Sequence, residues 1–321
     1  MPQKTIEVEH LSKVYGSTIA IKDVDFSVNA GEIIGFLGPN GAGKTTTMRI
    51  LSGYLPATAG TAKIAGYDVH RHSMQVRRHI GYLPETPPLY PNMSVKQYLH
   101  FVSKIKGIKA KDRRRQVDRA IRRCQLQEQK NSKIRKLSKG YRQRVGIAQA
   151  IVHEPKVIIL DEPTVGLDPR QIIEVRNLIK SLAGEHTIIL STHILPEASM
   201  ICDRVIIINR GRVVSTNTPG DLQALKSNFG YEAEVTGDLK LVIPLLQQLQ
   251  GITNVSLDNS FFPDNPKHCL LKITCQSDNS LGKDIAAIIV TGGLDLHEMR
   301  RTCPSLEEVF LELTTEELKS E

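Results

Sequence analysis

Residues Gly38-Pro39-Asn40-Gly41-Ala42-Gly43-Lys44-Thr45-Thr46 constrain this chain more than any other stretch. They follow an apolar run of β character, Glu32-Ile33-Ile34-Gly35-Phe36-Leu37, and precede a helix-like run, Thr46-Thr47-Met48-Arg49-Ile50-Leu51. Strand, glycine-rich turn and helix at the spacing G-x-x-x-x-G-K-T make a phosphate-binding loop. Glycines let backbone N–H groups curl around phosphate oxygens without Cβ clashes. The positive end of the following helix adds to that field. On this reading Lys44 reaches the β- and γ-phosphates of a nucleotide, and the Thr45 hydroxyl ligates Mg²⁺.

A chain of 321 residues has room for one large domain and a small one, and its 40% hydrophobic content supports a proper core. Its longest apolar runs, such as Val205–Ile208 and Ile285–Val290, fall far short of the ~20 residues that span a bilayer. No secretory pattern opens the chain. The five cysteines are odd in number and lack metal-type spacing, as expected of reduced cytoplasmic thiols. Charge is uneven along the chain. From Gly230 onward there are seven Lys/Arg against fifteen Asp/Glu, whereas the remainder has thirty-five against nineteen. The basic part suits an anionic partner, and the break suggests a domain boundary.

Alternating patterns at Thr5–Glu9 and Ile19–Val28 predict half-buried antiparallel strands joined by a turn near Gly16-Ser17. Continuous apolar runs at Val157–Leu160, Thr187–Leu190 and Arg204–Ile208 read instead as strands buried on both faces of a parallel sheet. Helical stretches lie between them, near 169–182 and 194–201. The fold class is therefore α/β, with an antiparallel β subdomain and a helical subdomain at about 94–153. That helical stretch is very basic from Lys104 to Arg123, which fits a solvated face or a surface for nucleic acid or anionic lipid. From residue 230 the predicted order βαββαβ is a ferredoxin-like α+β pattern, followed by an amphipathic helix opening at Ser305 with the capping box Ser305/Glu308. Domains are thus expected at 1–229 and 230–321.

Leu160-Asp161-Glu162-Pro163 ends one core strand with two carboxylates. Strand C-termini of a parallel sheet face the phosphate loop, so Asp161 is placed to hold Mg²⁺ and Glu162 to act as general base. Ser191-Thr192-His193 ends the next strand. Its hydroxyls suit a helix N-cap, and His193 is either a γ-phosphate contact or a bland surface histidine. Ser138 can cap the amphipathic helix that follows Leu137.

The ordered set of phosphate loop, Leu137-Ser138-Lys139-Gly140, Asp161-Glu162-Pro163-Thr164, Gly166-Leu167-Asp168 and Ser191-Thr192-His193 resembles the ATP-binding cassette (ABC) ATPases over about residues 3–225. The ending Pro304-Ser305-Leu306-Glu307-Glu308-Val309-Phe310-Leu311 is similar to that of exporters of the drug-resistance, sodium-efflux and gliding-motility group. The resemblance implies an ATP- and Mg²⁺-dependent ATPase at the cytoplasmic face of a membrane, working beside a separate permease that docks near residues 85–101. It implies Tyr15 stacking on adenine, Glu85 near Mg²⁺, and Asp168 communicating across a dimer. It also implies Ser138 and Gly140 contacting the γ-phosphate held by a second, head-to-tail copy or homologue. Two residues depart from the family pattern: Glu85 stands where Gln is usual, and Lys139-Gly140-Tyr141 where Gly-Gly-Gln is usual. A soluble, non-transport ABC ATPase acting on nucleic acid or ribosomes is the alternative. The paired cassettes or long coiled coil of such proteins are missing from this sequence, so no nucleic acid is expected.

Overall fold

The computed structural model describes residues 3–224, 229–258, 268–275 and 281–302. The chain divides into two compact units, Met1–Pro219 and Gly220–Glu321.

In the first unit, β1 (Lys4–Tyr15) and β2 (Thr18–Asn29) form a long hairpin around Gly16. β3 (Ile33–Leu37) then runs into the glycine-rich loop and α1 (Lys44–Leu51). The chain continues through β4 (Ala59–Ile64), β5 (Tyr67–Asp68), α2 (Ser73–His79) and β6 (Ile80–Leu83). Three helices follow, α3 (Val95–Ile105), α4 (Ala110–Arg123) and α5 (Lys139–Ile151). The unit closes with β7 (Val157–Asp161), α6 (Pro169–Leu182), β8 (Thr187–Thr192), α7 (Leu195–Ile201), β9 (Arg204–Asn209), β10 (Arg212–Asn217) and the start of α8 (Pro219–Ala224).

Two sheets result. Strands β2-β1-β4-β5 pair antiparallel, while β9-β3-β8-β7-β6 run parallel with β10 added antiparallel at one edge. Every residue of β3, β7 and β8 is buried, which explains their unbroken apolar runs. Phe36, Ile34, Ile159, Ile189 and Ile206 from the parallel sheet join Ile6, Val8 and Val24 from the antiparallel one and Met48 from α1 in a single core. The register pairs Leu37 with Thr192 and Asp161 with Ser191. Three consecutive strands therefore release their loops at one sheet edge, and those loops carry the chemistry-bearing residues.

Part of the basic stretch is paired within the chain, while Lys104, Lys109, Lys111, Arg114, Arg115 and Arg122 stay exposed. Lys106 donates to the carbonyls of Arg77 and Ile80 and is half-buried, and the desolvation pushes its pKa down to about 8. Arg119 and Arg123 pair with Glu154 and Glu185, and Arg113 donates to the Ile108 carbonyl. Several of these charges hold α4 to the parallel-sheet body instead of facing a partner.

The second unit contains β11 (Phe229–Thr236), α9 (Val242–Gln248), β12 (Ile252–Asp258), β13 (His268–Cys275), α10 (Gly282–Thr291) and β14 (Asp295–Thr302). All pairings are antiparallel in the order β12-β13-β11-β14, the split βαβ arrangement read from the sequence. Val242 and Leu246 of α9 and Ile285 and Ile289 of α10 bury against Ala233, Val235, Leu271 and Ile273. The expected helix from Ser305 lies outside the described residues. Among those described, no helix is long and apolar enough to cross a membrane.

Candidate functional site

The glycine-rich loop owes its path to two glycines. Gly43 has φ +107°, a conformation that side chains with Cβ rarely adopt, and it occupies the N-cap of α1. A Cβ on Gly38 would lie 2.3 Å from the Ile208 carbonyl oxygen of β9, so the loop can approach the sheet only with glycine there. No side chain caps α1, and its first N–H groups stay available to an anion. Lys44 is folded back over the loop, donating to the carbonyl oxygens of Gly38 (2.7 Å) and Pro39 (3.2 Å).

A cavity of about 520 Å³ opens above this loop, lined by Asn40, Gly41, Gly43, Lys44, Thr45 and Thr46 and faced by Glu85, Glu162 and His193. Glu162 links two of these groups. Its Oε1 lies 3.3 Å from Lys44 Nζ, and its Oε2 lies 3.0 Å from His193 Nδ1. Its backbone is left-handed at φ +48°, which costs energy for a residue with a Cβ.

Asp161 lies beneath the cavity. Its Oδ1 accepts from Ser191 Oγ (2.6 Å) and Thr45 Oγ1 (3.2 Å), while its buried Oδ2 has no hydrogen-bond partner among the described residues. Burial holds the Asp161 pKa above the usual carboxylate range; the two hydrogen bonds oppose that shift, and Glu162 and Glu85 reinforce it. A buried carboxylate oxygen without a donor, beside a threonine hydroxyl and near a second carboxylate, is a set of hard oxygen donors that fits Mg²⁺. Among the described residues, the one cluster of His, Cys, Asp or Glu whose ligand atoms already converge is the exposed His10, Asp23 and Asp25, away from this cavity.

Ser191 does not serve as the helix cap that its sequence position suggests. It is fully buried and accepts from the Glu162 backbone N–H (2.9 Å) while donating to Asp161, so it ties β7 to β8 beneath the site. Ile194 takes the N-cap position of α7 without a side-chain bond. The other predicted residues stand apart from this cavity. Tyr15 is half exposed at the β1–β2 turn, with the Lys13 ammonium 5.2 Å over its ring. Ser138 caps α5, its Oγ accepting from Tyr141 N, and Asp168 caps α6, accepting from Gln171 N. Gly140 packs against the Gln171 side chain, where a Cβ would lie 2.4 Å from Gln171 Oε1. Ser138, Gly140 and Asp168 thus share one neighbourhood, separate from the phosphate-loop cavity of the same chain. Glu197 escaped sequence reading altogether. A lone glutamate early in a helix carries no signal until its burial is known.

The family model for the ABC transporter matches residues 21–165. The ABC transporter ATP-binding protein YxlF of Bacillus subtilis (strain 168) is 32% identical over 309 residues, spanning 96% of this chain and 99% of that protein. The bacitracin transport ATP-binding protein BcrA of Bacillus licheniformis is 34% identical over 310 residues, or 96% of each. Among solved structures, the dimeric post-hydrolysis state of the ATP-binding cassette MJ0796 with ADP and Pi bound superimposes with a TM-score of 0.61. It is 25% identical and covers 67% of this chain and 98% of its own. Relatives matched almost end to end, and a cassette matched over the phosphate-loop unit, agree with the geometry: this chain belongs to the ABC transporter ATP-binding proteins and is an ATPase of that family.

Proposed function

We propose that this ATPase energises export through a separate membrane permease, with two copies closing head-to-tail over ATP. The observation that carries the chemical part is the position of Glu162, held between Lys44 and His193 at the mouth of the cavity. Lys44, the loop amides and Thr46 bind the phosphates. A γ-phosphate competes with Glu162 for Lys44, and that exchange frees a carboxylate oxygen to take a proton from water. His193 holds the other oxygen of Glu162 in place. Thr45, Asp161 and Glu85 would hold Mg²⁺, which when bound neutralises charge on the phosphate oxygens. Tyr15 stacks on the adenine. Ser138, Gly140 and Asp168, lying off the cavity of their own chain, supply the partner copy's site.

Export is favoured by the resemblance of the chain to transport ATP-binding proteins, bacitracin transport among them, and by the pairing of Lys106, Arg119 and Arg123 within the chain. The permease docks on the surface near residues 85–101, at the cytoplasmic face of the membrane. Tyr90 is half exposed and packs on Phe101 (5.3 Å between ring centroids), but Tyr98 is only 2% exposed and bonded to Pro88 O and Gln149. Tyr98, within the 85–101 stretch, therefore supports that surface from beneath and offers no side chain to a partner. The second unit acts in regulation or dimer support.

The test is Tyr90→Glu in cells carrying the permease. Transport and co-purification with the permease should be lost, while the purified chain keeps its ATPase rate. Parallel loss of ATPase activity would indicate damaged folding and remove the support for docking there.

A further inference from the structure

Glu197, in the first turn of α7, is 3% exposed and does not line the nucleotide cavity. A buried carboxylate is costly unless its oxygens are well satisfied. Its Oε2 accepts from Thr164 Oγ1 at 2.6 Å and from Thr192 Oγ1 at 3.4 Å. The Arg176 guanidinium of α6 comes only within 4.0 Å of Oε1 and spends a shorter contact on Met200 Sδ (2.8 Å). The hydroxyl contacts are therefore closer than the charge contact.

Both hydroxyls sit beside working residues. Thr164 lies two positions after Glu162, inside a turn closed by Val165 N donating to Glu162 O (3.2 Å) and Leu167 N donating to Thr164 O (3.2 Å). Thr192 directly precedes His193. Its hydroxyl also accepts from Ile194 N (3.1 Å), and its carbonyl accepts from Gly38 N (3.4 Å) at the start of the phosphate loop. One buried carboxylate thus ties together the turn carrying Glu162 and the strand end carrying His193, with the phosphate loop hung on the same strand end. Glu162 needs such a restraint, because its left-handed backbone persists only where the surroundings enforce it.

We infer that Glu197 is a positioning residue for ATP hydrolysis: through Thr164 and Thr192 it sets Glu162 and His193 at their mutual 3.0 Å spacing. The inference rests on Glu162 acting as the base. Glu197 touches no nucleotide, so its loss acts on turnover and leaves binding alone.

The experiment measures kcat and KM for MgATP on the full chain. Glu197→Ala should lower kcat about ten-fold or more and leave KM within about two-fold. Glu197→Gln keeps a carbonyl acceptor for Thr164 and should retain kcat within about three-fold. Thr164→Val keeps shape and loses the hydroxyl, so it should reproduce the Ala loss, and Thr164→Ser should restore activity. The threonine pair carries the test should Glu197→Ala fail to fold. Unchanged kcat in Thr164→Val overturns the inference, as does a fall in kcat matched by an equal rise in KM. A Glu197→Gln chain as impaired as Glu197→Ala assigns the role to charge and overturns it too. Glu162→Gln, assayed alongside, separates the two readings. Wild-type turnover there refutes the base itself, whereas an inactive Glu162→Gln with indifferent Glu197 and Thr164 variants refutes the clamp alone.

Discussion

Replacing Ser191 by alanine removes one oxygen from a site with no access to solvent. That oxygen accepts from Glu162 N and donates to Asp161 Oδ1. Alanine leaves the Glu162 N–H buried without an acceptor, which costs about 1–3 kcal/mol. Asp161 Oδ1 keeps Thr45 as a donor at 3.2 Å, so its loss is partial. The change creates almost no cavity. The sum is about 2–3 kcal/mol, which for a unit of this size lowers Tm by about 4–12 °C. A helix cap, the role its sequence position suggests, would cost about 1 kcal/mol and would tolerate aspartate. In the structure, Ser191→Asp sets a second carboxylate against Asp161 and should be worse than alanine. Thermal unfolding followed by circular dichroism on both variants decides the matter. A Ser191→Ala protein melting within about 1 °C of the parent, or an aspartate variant as stable as the parent, would refute the buried bridge.

Gly38→Ala should unfold the loop or push it off β9, because its Cβ would meet the Ile208 carbonyl oxygen at 2.3 Å; nucleotide binding by fluorescence titration should be lost. His153 donates from Nε2 to Ile80 O and is held neutral, its pKa pushed down to about 3 by burial with Lys106 nearby. Because the folded value lies below the unfolded one, stability is full above pH ~6.5 and falls as the unfolded chain takes up the proton, by about 2 kcal/mol at pH 5. His79, His100 and His186 shift in the same direction. Denaturant midpoints from pH 7.5 to 5 should show this slope, and His153→Gln should flatten part of it.

What was legible in the sequence was whatever depends on spacing along the chain. The phosphate loop, the buried runs of β7 and β8 and the βαββαβ order of the second unit all follow from local period and turn chemistry, and each is found where expected. What was not legible depends on neighbours brought by the fold. Ser191 reads as a cap until β7 lies beside β8 and supplies Asp161 as its partner. Glu197 is an ordinary helix glutamate until Thr164 from the loop after β7 and Thr192 from the end of β8 reach it. Lys106 belongs to a basic run by sequence, yet its ammonium is taken up by the carbonyls of Arg77 and Ile80 near α2 and β6. The left-handed backbone of Glu162 has no composition signal, since glutamate rarely adopts it.

The central claim, a base at Glu162 serving a site completed by a second copy, is tested most directly by Glu162→Gln. The amide keeps the side chain's size but cannot accept a proton as the carboxylate does, and loss of a general base typically slows turnover by about 10²–10⁴-fold. ATP should still bind through Lys44, the loop amides and Thr45, and uncleaved ATP should keep two copies together. Size exclusion with light scattering should therefore move the variant from monomer to dimer with MgATP and leave it monomeric with ADP. Adding Ser138→Arg should abolish that shift while nucleotide binding persists. A Glu162→Gln chain that hydrolyses ATP at the parental rate, or that binds MgATP and stays monomeric, would contradict the account.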